Sequence, residues 1–213
     1  MSDYPAYARS ERIADGIIHA VGIVLALVGA VLLMTFAAHR AESGGQVAAV
    51  AVYSGALLAS LVISACYHMT PWEGLRPTLR RLDHAAIYLK IAGTYTPLVV
   101  VIGSAFAYGV LALVWLMALA GAVAKLFLWL GHGRLATGLY LLLGWLSVVL
   151  AWPLVQSLPP AATILVVCGG LLYSAGVYFF SWESLKFANA IWHGFVLAAS
   201  VCFFVAITLS TFA

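Results

Sequence analysis

Long runs of apolar residues, interrupted only by short polar or turn-forming pieces, occupy almost the whole chain. Seven of the runs reach the length a membrane-crossing helix needs, about 20 residues for a hydrocarbon core of about 30 Å. They fall at residues 16–38, 46–67, 83–102, 106–130, 135–155, 161–180 and 188–212. The breaks between them carry turn and charge signals: His39-Arg40-Ala41-Glu42, the loop from Pro71 to Pro77, Gly131-His132-Gly133-Arg134, and Pro159-Pro160. No internal repeat, low-complexity stretch or linker marks off a second unit. The pattern predicts an all-α fold of seven transmembrane helices, a single polytopic domain over 1–213, with residues 1–15 as a short tail.

Composition excludes the alternatives. The chain is 65% hydrophobic and 8% charged, with a mean hydropathy of +1.08. Soluble proteins hold about 45–50% apolar and about 25% charged residues, and disorder needs the opposite balance of low hydrophobicity and high charge. A net charge of +3 is too scattered to suggest nucleic acid, since the densest basic group is Arg76, Arg80 and Arg81. Cys66, Cys168 and Cys202 all lie inside apolar runs without a close pair, so they read as small buried side chains. The polar first 15 residues carry no short apolar run ending in a cleavage site, so the first span is expected to be retained. With no soluble domain to dock a protein, the expected partners are membrane lipids.

Orientation follows from the basic residues. The N-terminal tail and the second, fourth and sixth connections hold Arg9, Arg12, Arg76, Arg80, Arg81, Arg134 and Lys186. The opposite side holds Arg40, while Lys90 and Lys125 lie within spans and can snorkel to the surface. The positive-inside rule therefore predicts a cytoplasmic N-terminus and an external C-terminus.

Ionisable groups in hydrocarbon are costly and mark function. Asp15 and His19 stand four residues apart at the start of the first span, hence on one helix face. Ser64 and His68 repeat that spacing at the end of the second. Asp83 and His84 open the third, and Asn189 and His193 share the same spacing near the start of the seventh. In the predicted orientation all four sets lie within about two turns of the cytoplasmic surface at 1.5 Å per residue. Taken singly, each also has a plain role near an interface: Asp83 as a cap or a partner of Arg80 or Arg81, His84 and His132 in the headgroup region. Together they read as a site. Imidazoles with a carboxylate suit zinc, and a water on such an ion has its pKa lowered towards 7.

The motifs resemble the hemolysin III family, which is grouped with the progestin and adipoQ receptors. The resemblance rests on Glu11-Arg12-Ile13-Ala14-Asp15-Gly16-Ile17-Ile18-His19, on Ser64-Ala65-Cys66-Tyr67-His68, and on Leu82-Asp83-His84-Ala85-Ala86-Ile87-Tyr88. It continues through Ala92-Gly93-Thr94-Tyr95-Thr96-Pro97 and Ala190-Ile191-Trp192-His193-Gly194-Phe195-Val196-Leu197, covering nearly the whole chain. It implies a seven-helix fold with a cytoplasmic N-terminus and a zinc ion near that face. Carried over, His68 and His193 match two metal ligands, Asp83 the carboxylate that holds the water, and Ser64 the serine of the second-span motif. One position departs: the first histidine of the expected His-x-x-x-His on the seventh span is Asn189 here. An amide oxygen is a poorer zinc ligand than imidazole. Either Asn189 or another group such as His19 or Asp83 completes the site, with Asp15 as polar support, or the metal is weaker or absent.

Three functions fit these residues. The first is a zinc-dependent lipid amide hydrolase of ceramidase type in the bacterial inner membrane, acting in lipid homeostasis with Asp83 as base and Ser64 orienting water or substrate. The second is a pore or cytolysin, against which the chain's hydrophobicity argues if a soluble toxin is meant. The third is a non-enzymatic sensor of membrane lipid state.

Overall fold

The computed structural model describes residues 7–128, 134–182 and 184–212. They form α1 (Arg9–Arg40), α2 (Gly44–Met69), α3 (Arg76–Ile102), α4 (Ala105–Val123), α5 (Arg134–Trp145), α6 (Ala151–Ser157), α7 (Pro160–Phe180) and α8 (Ala188–Phe212). No strand occurs among the described residues. A π-helical turn at Ala124–Leu128 prolongs α4, and a 3₁₀ turn at Leu146–Leu150 joins α5 to α6. Seven segments are long and apolar enough to cross a membrane, the fifth being the composite of α5, the 3₁₀ turn and α6. Large apolar side chains line the outer faces, among them Ile17, Val24, Leu27 and Val31 on α1, Leu116 on α4 and Trp152 on α6. Such a surface would be intolerable in water and is the natural one against lipid tails. The chain is a multi-pass membrane protein.

Helix ends follow their local chemistry. Ser43 and Ser104 accept hydrogen bonds from the backbone N–H groups of Gln46 and Ala107, capping α2 and α4. Gly103 stops α3 in the left-handed conformation, φ 67°, its N–H reaching the Val99 carbonyl at 2.9 Å. α3 begins at Arg76, seven residues earlier than its apolar run suggests. Pro77 explains this, because proline is tolerated in a first helical turn where its missing N–H would be unpaired anyway. Arg76, Arg80 and Arg81 thus belong to a helix rather than a loop. The turn expected at residues 131–133 lies outside the described residues.

The fifth span departs from the single helix expected over 135–155. Pro153 has no N–H to give the Val149 carbonyl, so the α-helical ladder cannot run through this point. The chain tightens into 3₁₀ geometry instead. The phenol of Tyr95 lies 2.9 and 2.7 Å from the Leu143 and Gly144 carbonyls, offering them a donor where the α-helix ends.

Lipid gives helices no hydrophobic reason to associate, so close packing of small residues matters. A Cβ on Gly93 of α3 would come within 2.8 Å of the Ala56 Cβ on α2, which marks their closest approach. Gly22 on α1 faces Leu197 of α8 and Leu61 of α2, seating α1 between those helices. Two expectations are corrected by this packing. Lys90 and Lys125 are buried rather than snorkelling to the surface, and the Lys90 amine sits 5.2 Å from the Tyr173 ring centroid. The cysteines are free as expected, but Cys66 and Cys168 point outwards from the bundle.

Candidate metal centre

Odd-numbered spans start, and even-numbered spans finish, at the same end of the bundle. At that end α1 turns one buried stripe inward: Asp15, His19, Gly22 and Ala26. The glycine and alanine let α2 and α8 close on α1. This brings His68, at the last turn of α2, and His193, in the second turn of α8, against the Asp15–His19 pair.

Asp15 is the hub. Its Oδ1 accepts the Nδ1–H of His193 at 2.6 Å, while Oδ2 lies 3.6 Å from His68 Nδ1 and 3.8 Å from His19 Nε2. The imidazole centroids are 4.3 Å apart for His19 and His193, 4.7 Å for His68 and His193, and 5.5 Å for His19 and His68. All four residues are buried, none more than 8% exposed. Three rings from three spans therefore face one carboxylate in a dry setting.

The donor set suits a metal ion. One ligand atom each from Asp15, His19 and His193 falls within 4.8 Å of the others, so the three could hold a metal ion. His19 Nε2 is buried and makes no hydrogen bond among the described residues. A ring nitrogen left in that state is costly unless something coordinates it. Two imidazoles and a carboxylate with a position to spare match the chemistry of catalytic zinc sites.

The remaining residues singled out in the sequence fall around this hub. The Ser64 side chain on α2 is within hydrogen-bonding reach of the Asp83 carboxylate on α3, and Asp83 is close enough to Asp15 to interact electrostatically. His68, which the resemblance makes a ligand, touches Asp15 but stands outside the tightest three-residue group. Asp15, read from the sequence as support, lies at the centre. His84 bonds back to the Arg80 carbonyl at 2.7 Å. Asn189 and Tyr7 line a cleft of about 10 Å³ whose inner wall is Asp15, the amide within hydrogen-bonding reach of the phenol.

Two residues at this site carried no signal in the sequence. Tyr7 belongs to the polar tail, where a tyrosine is unremarked. Phe187, the residue before α8, adopts φ 63°, a strained conformation for a side chain of that size. Its N–H is held at 2.9 Å by Glu11 Oε1, while Glu11 Oε2 accepts from the Ala8 N–H at 2.9 Å.

Comparison with known proteins bears on the same residues. Residues 7–204, a range containing every side chain described above, match the family described as Haemolysin-III related. The chain is 35% identical over 195 residues to Hemolysin-3 homolog of Bacillus subtilis (strain 168), covering 91% of each protein. It is 35% identical over 195 residues to Hemolysin-3 of Bacillus cereus, covering 91% of this chain and 89% of that one. Monocyte to macrophage differentiation factor of Homo sapiens is 30% identical over 221 residues, 92% of this chain and 83% of its own length. Seven apolar crossings, the buried motifs and these end-to-end matches agree: the chain belongs to the haemolysin-III family.

Proposed function

We propose that this protein is a hydrolase of the bacterial inner membrane that cleaves a lipid amide at an intramembrane zinc site, and through that reaction acts in membrane lipid homeostasis. The observation that carries the reading is the Asp15 carboxylate ringed by three buried imidazoles, beside a second carboxylate, Asp83, within reach of Ser64. The end of the bundle bearing this site also bears Arg9, Arg12, Arg76, Arg80, Arg81 and Lys186, which favours a cytoplasmic N-terminus.

Asp15, His19 and His193 would hold the ion, with His68 braced against Asp15. Zinc bound there supplies Lewis acidity and a water acidic enough to ionise near neutral pH. The protein's own part is positional. Ser64, within reach of the Asp83 carboxylate, would orient it to accept a proton from water. The low dielectric around the cluster strengthens each of these electrostatic contacts. The lipid's acyl chain stays among the spans while its amide reaches the site.

Metal analysis of protein purified in mild detergent, coupled to release of fatty acid from ceramide-like lipids, tests this directly. Zinc near one equivalent per chain, lost in His19→Ala/His193→Ala, is expected, with hydrolysis abolished in Asp83→Ala. Wild-type protein with no zinc would overturn the metal site. Zinc without turnover would point instead to a lipid-sensing role for the same buried group.

A further inference from the structure

The cleft between Tyr7 and Asp15 connects the buried cluster to the surface. Its lining runs from Glu11 and Arg12 at the rim, past Tyr7, Asn189, Ala190 and Phe187, to Asp15 at the floor. Arg12 is exposed and Asp15 is buried, so the lining spans the step from surface to site. At about 10 Å³ the space is close to the minimum for one water molecule. A passage of that size is shut to anything larger.

What shuts it is a strap across the start of α1 and the start of α8. Tyr7 precedes α1 and lines the cleft together with Asn189 in the first turn of α8, the phenol within hydrogen-bonding reach of the amide. Four residues on, Glu11 grips the Phe187 N–H with one carboxylate oxygen and the Ala8 N–H with the other. The first of these bonds ties α1 to the turn before α8; the second ties the backbone just after Tyr7 to the same carboxylate. Phe187 pays for its left-handed conformation by presenting its N–H to Glu11. Burial pushes the Tyr7 phenol above its ordinary pKa, so it remains a neutral hydroxyl under physiological conditions.

We propose that Tyr7 is a lid over the aqueous entrance to the Asp15 cluster and that Asn189 is its tether. Asn189 thereby has a positioning role at the place where the family resemblance leads one to expect a metal-ligating histidine. An amide serves that role well, since it offers donors and an acceptor to a phenol while competing poorly for a metal ion. The lid controls passage of water and small polar solutes, including a metal ion, between the surface and the site. It depends on protein contacts alone and holds whether or not the zinc reading is correct.

The test uses the full-length protein in mild detergent, stripped of metal by chelator, so that failure of the zinc reading cannot masquerade as failure of the lid. Carbethoxylation of each histidine by diethyl pyrocarbonate is followed by mass spectrometry, with exposed His39 as the internal reference. His19, His68 and His193 are expected to react far more slowly than His39 in the wild type. Tyr7→Phe and Asn189→Ala should each speed their modification by about fivefold, the population shift for loss of one hydrogen bond. The double variant should be no faster than either single one, because both remove the same bond. Gly29→Ala, which crowds the Phe204 ring elsewhere on α1, serves as a control for general loosening. Unchanged rates in Tyr7→Phe, additive rates in the double variant, or an equal acceleration in Gly29→Ala would each overturn the lid.

Discussion

His193 gives its Nδ1–H to Asp15 across 2.6 Å, and the two residues lie 178 positions apart in the chain. That bond joins the first crossing to the last at the depth where the other two imidazoles also gather. Its loss should be felt in stability as well as in metal content. Asp15→Ala is expected to cost about 2 kcal/mol, in the range for a hydrogen bond to a charged acceptor, and to leave the protein without bound zinc. Denaturant unfolding in detergent, paired with metal analysis, checks both. A stable variant that keeps its zinc would return Asp15 to the supporting role its sequence position suggests.

His19 and His68 should separate in titrations. The geometry groups His19 with Asp15 and His193, whereas His68 contacts the carboxylate from outside that group. Competition with a chromophoric chelator should find no measurable zinc binding in His19→Ala. For His68→Ala a fall of about 10- to 100-fold is expected, typical of residues that orient ligands. The reverse order would restore His68 to the ligand position implied by the family resemblance.

Gly93 sets the spacing of α2 and α3, the helices that carry Ser64 and Asp83. A side chain there meets the Ala56 Cβ and, at 3.5 Å, the Val52 carbonyl, neither of which is a flexible tip. Gly93→Val should therefore destabilise the protein by about 1–3 kcal/mol, as overpacking does. Because the two helices are forced apart, hydrolysis should fall in parallel. Thermal unfolding and turnover measured on one preparation would expose any variant that keeps full activity and stability, the outcome that contradicts this packing.

Lys90 lies in the bundle interior with no ion pair within 4.0 Å among the described residues, its electrostatic carboxylate partner being Asp83 of the same helix. The Tyr173 ring compensates in part. A buried amine without a close ion-pair partner carries a desolvation cost that an apolar side chain of similar volume avoids. Lys90→Met is accordingly expected to raise the unfolding midpoint in detergent. A lowered midpoint would mean that the amine has partners worth more than its desolvation.

The seven crossings were legible because hydrocarbon thickness imposes one length on each and the apolar runs have that length. The site was legible in outline for a similar reason: a buried histidine or aspartate in such a chain stands out against an apolar background. Its centre was not. A four-residue spacing says that Asp15 and His19 share a face, but which face meets α2 and α8 depends on where Gly22 lets those helices approach. The break in the fifth span hid behind Pro153, whose surroundings are apolar enough to read as continuous helix. Tyr7 and Phe187 escaped because their roles arise from contacts with residues more than 170 positions away, which no local pattern encodes.

The Asp15–His193 bond and the Glu11–Phe187 bond both link the first helix to α8 and the turn before it. During synthesis α1 and α2 can bring Asp15, His19 and His68 together, but Asp15 lacks its shortest contact, that to His193, until α8 has been inserted. The centre is thus completed only by the arrival of α8. A chain truncated before that helix holds six spans and keeps Asp15, His19 and His68 but loses His193, so the site depends on the insertion of α8 for its third imidazole.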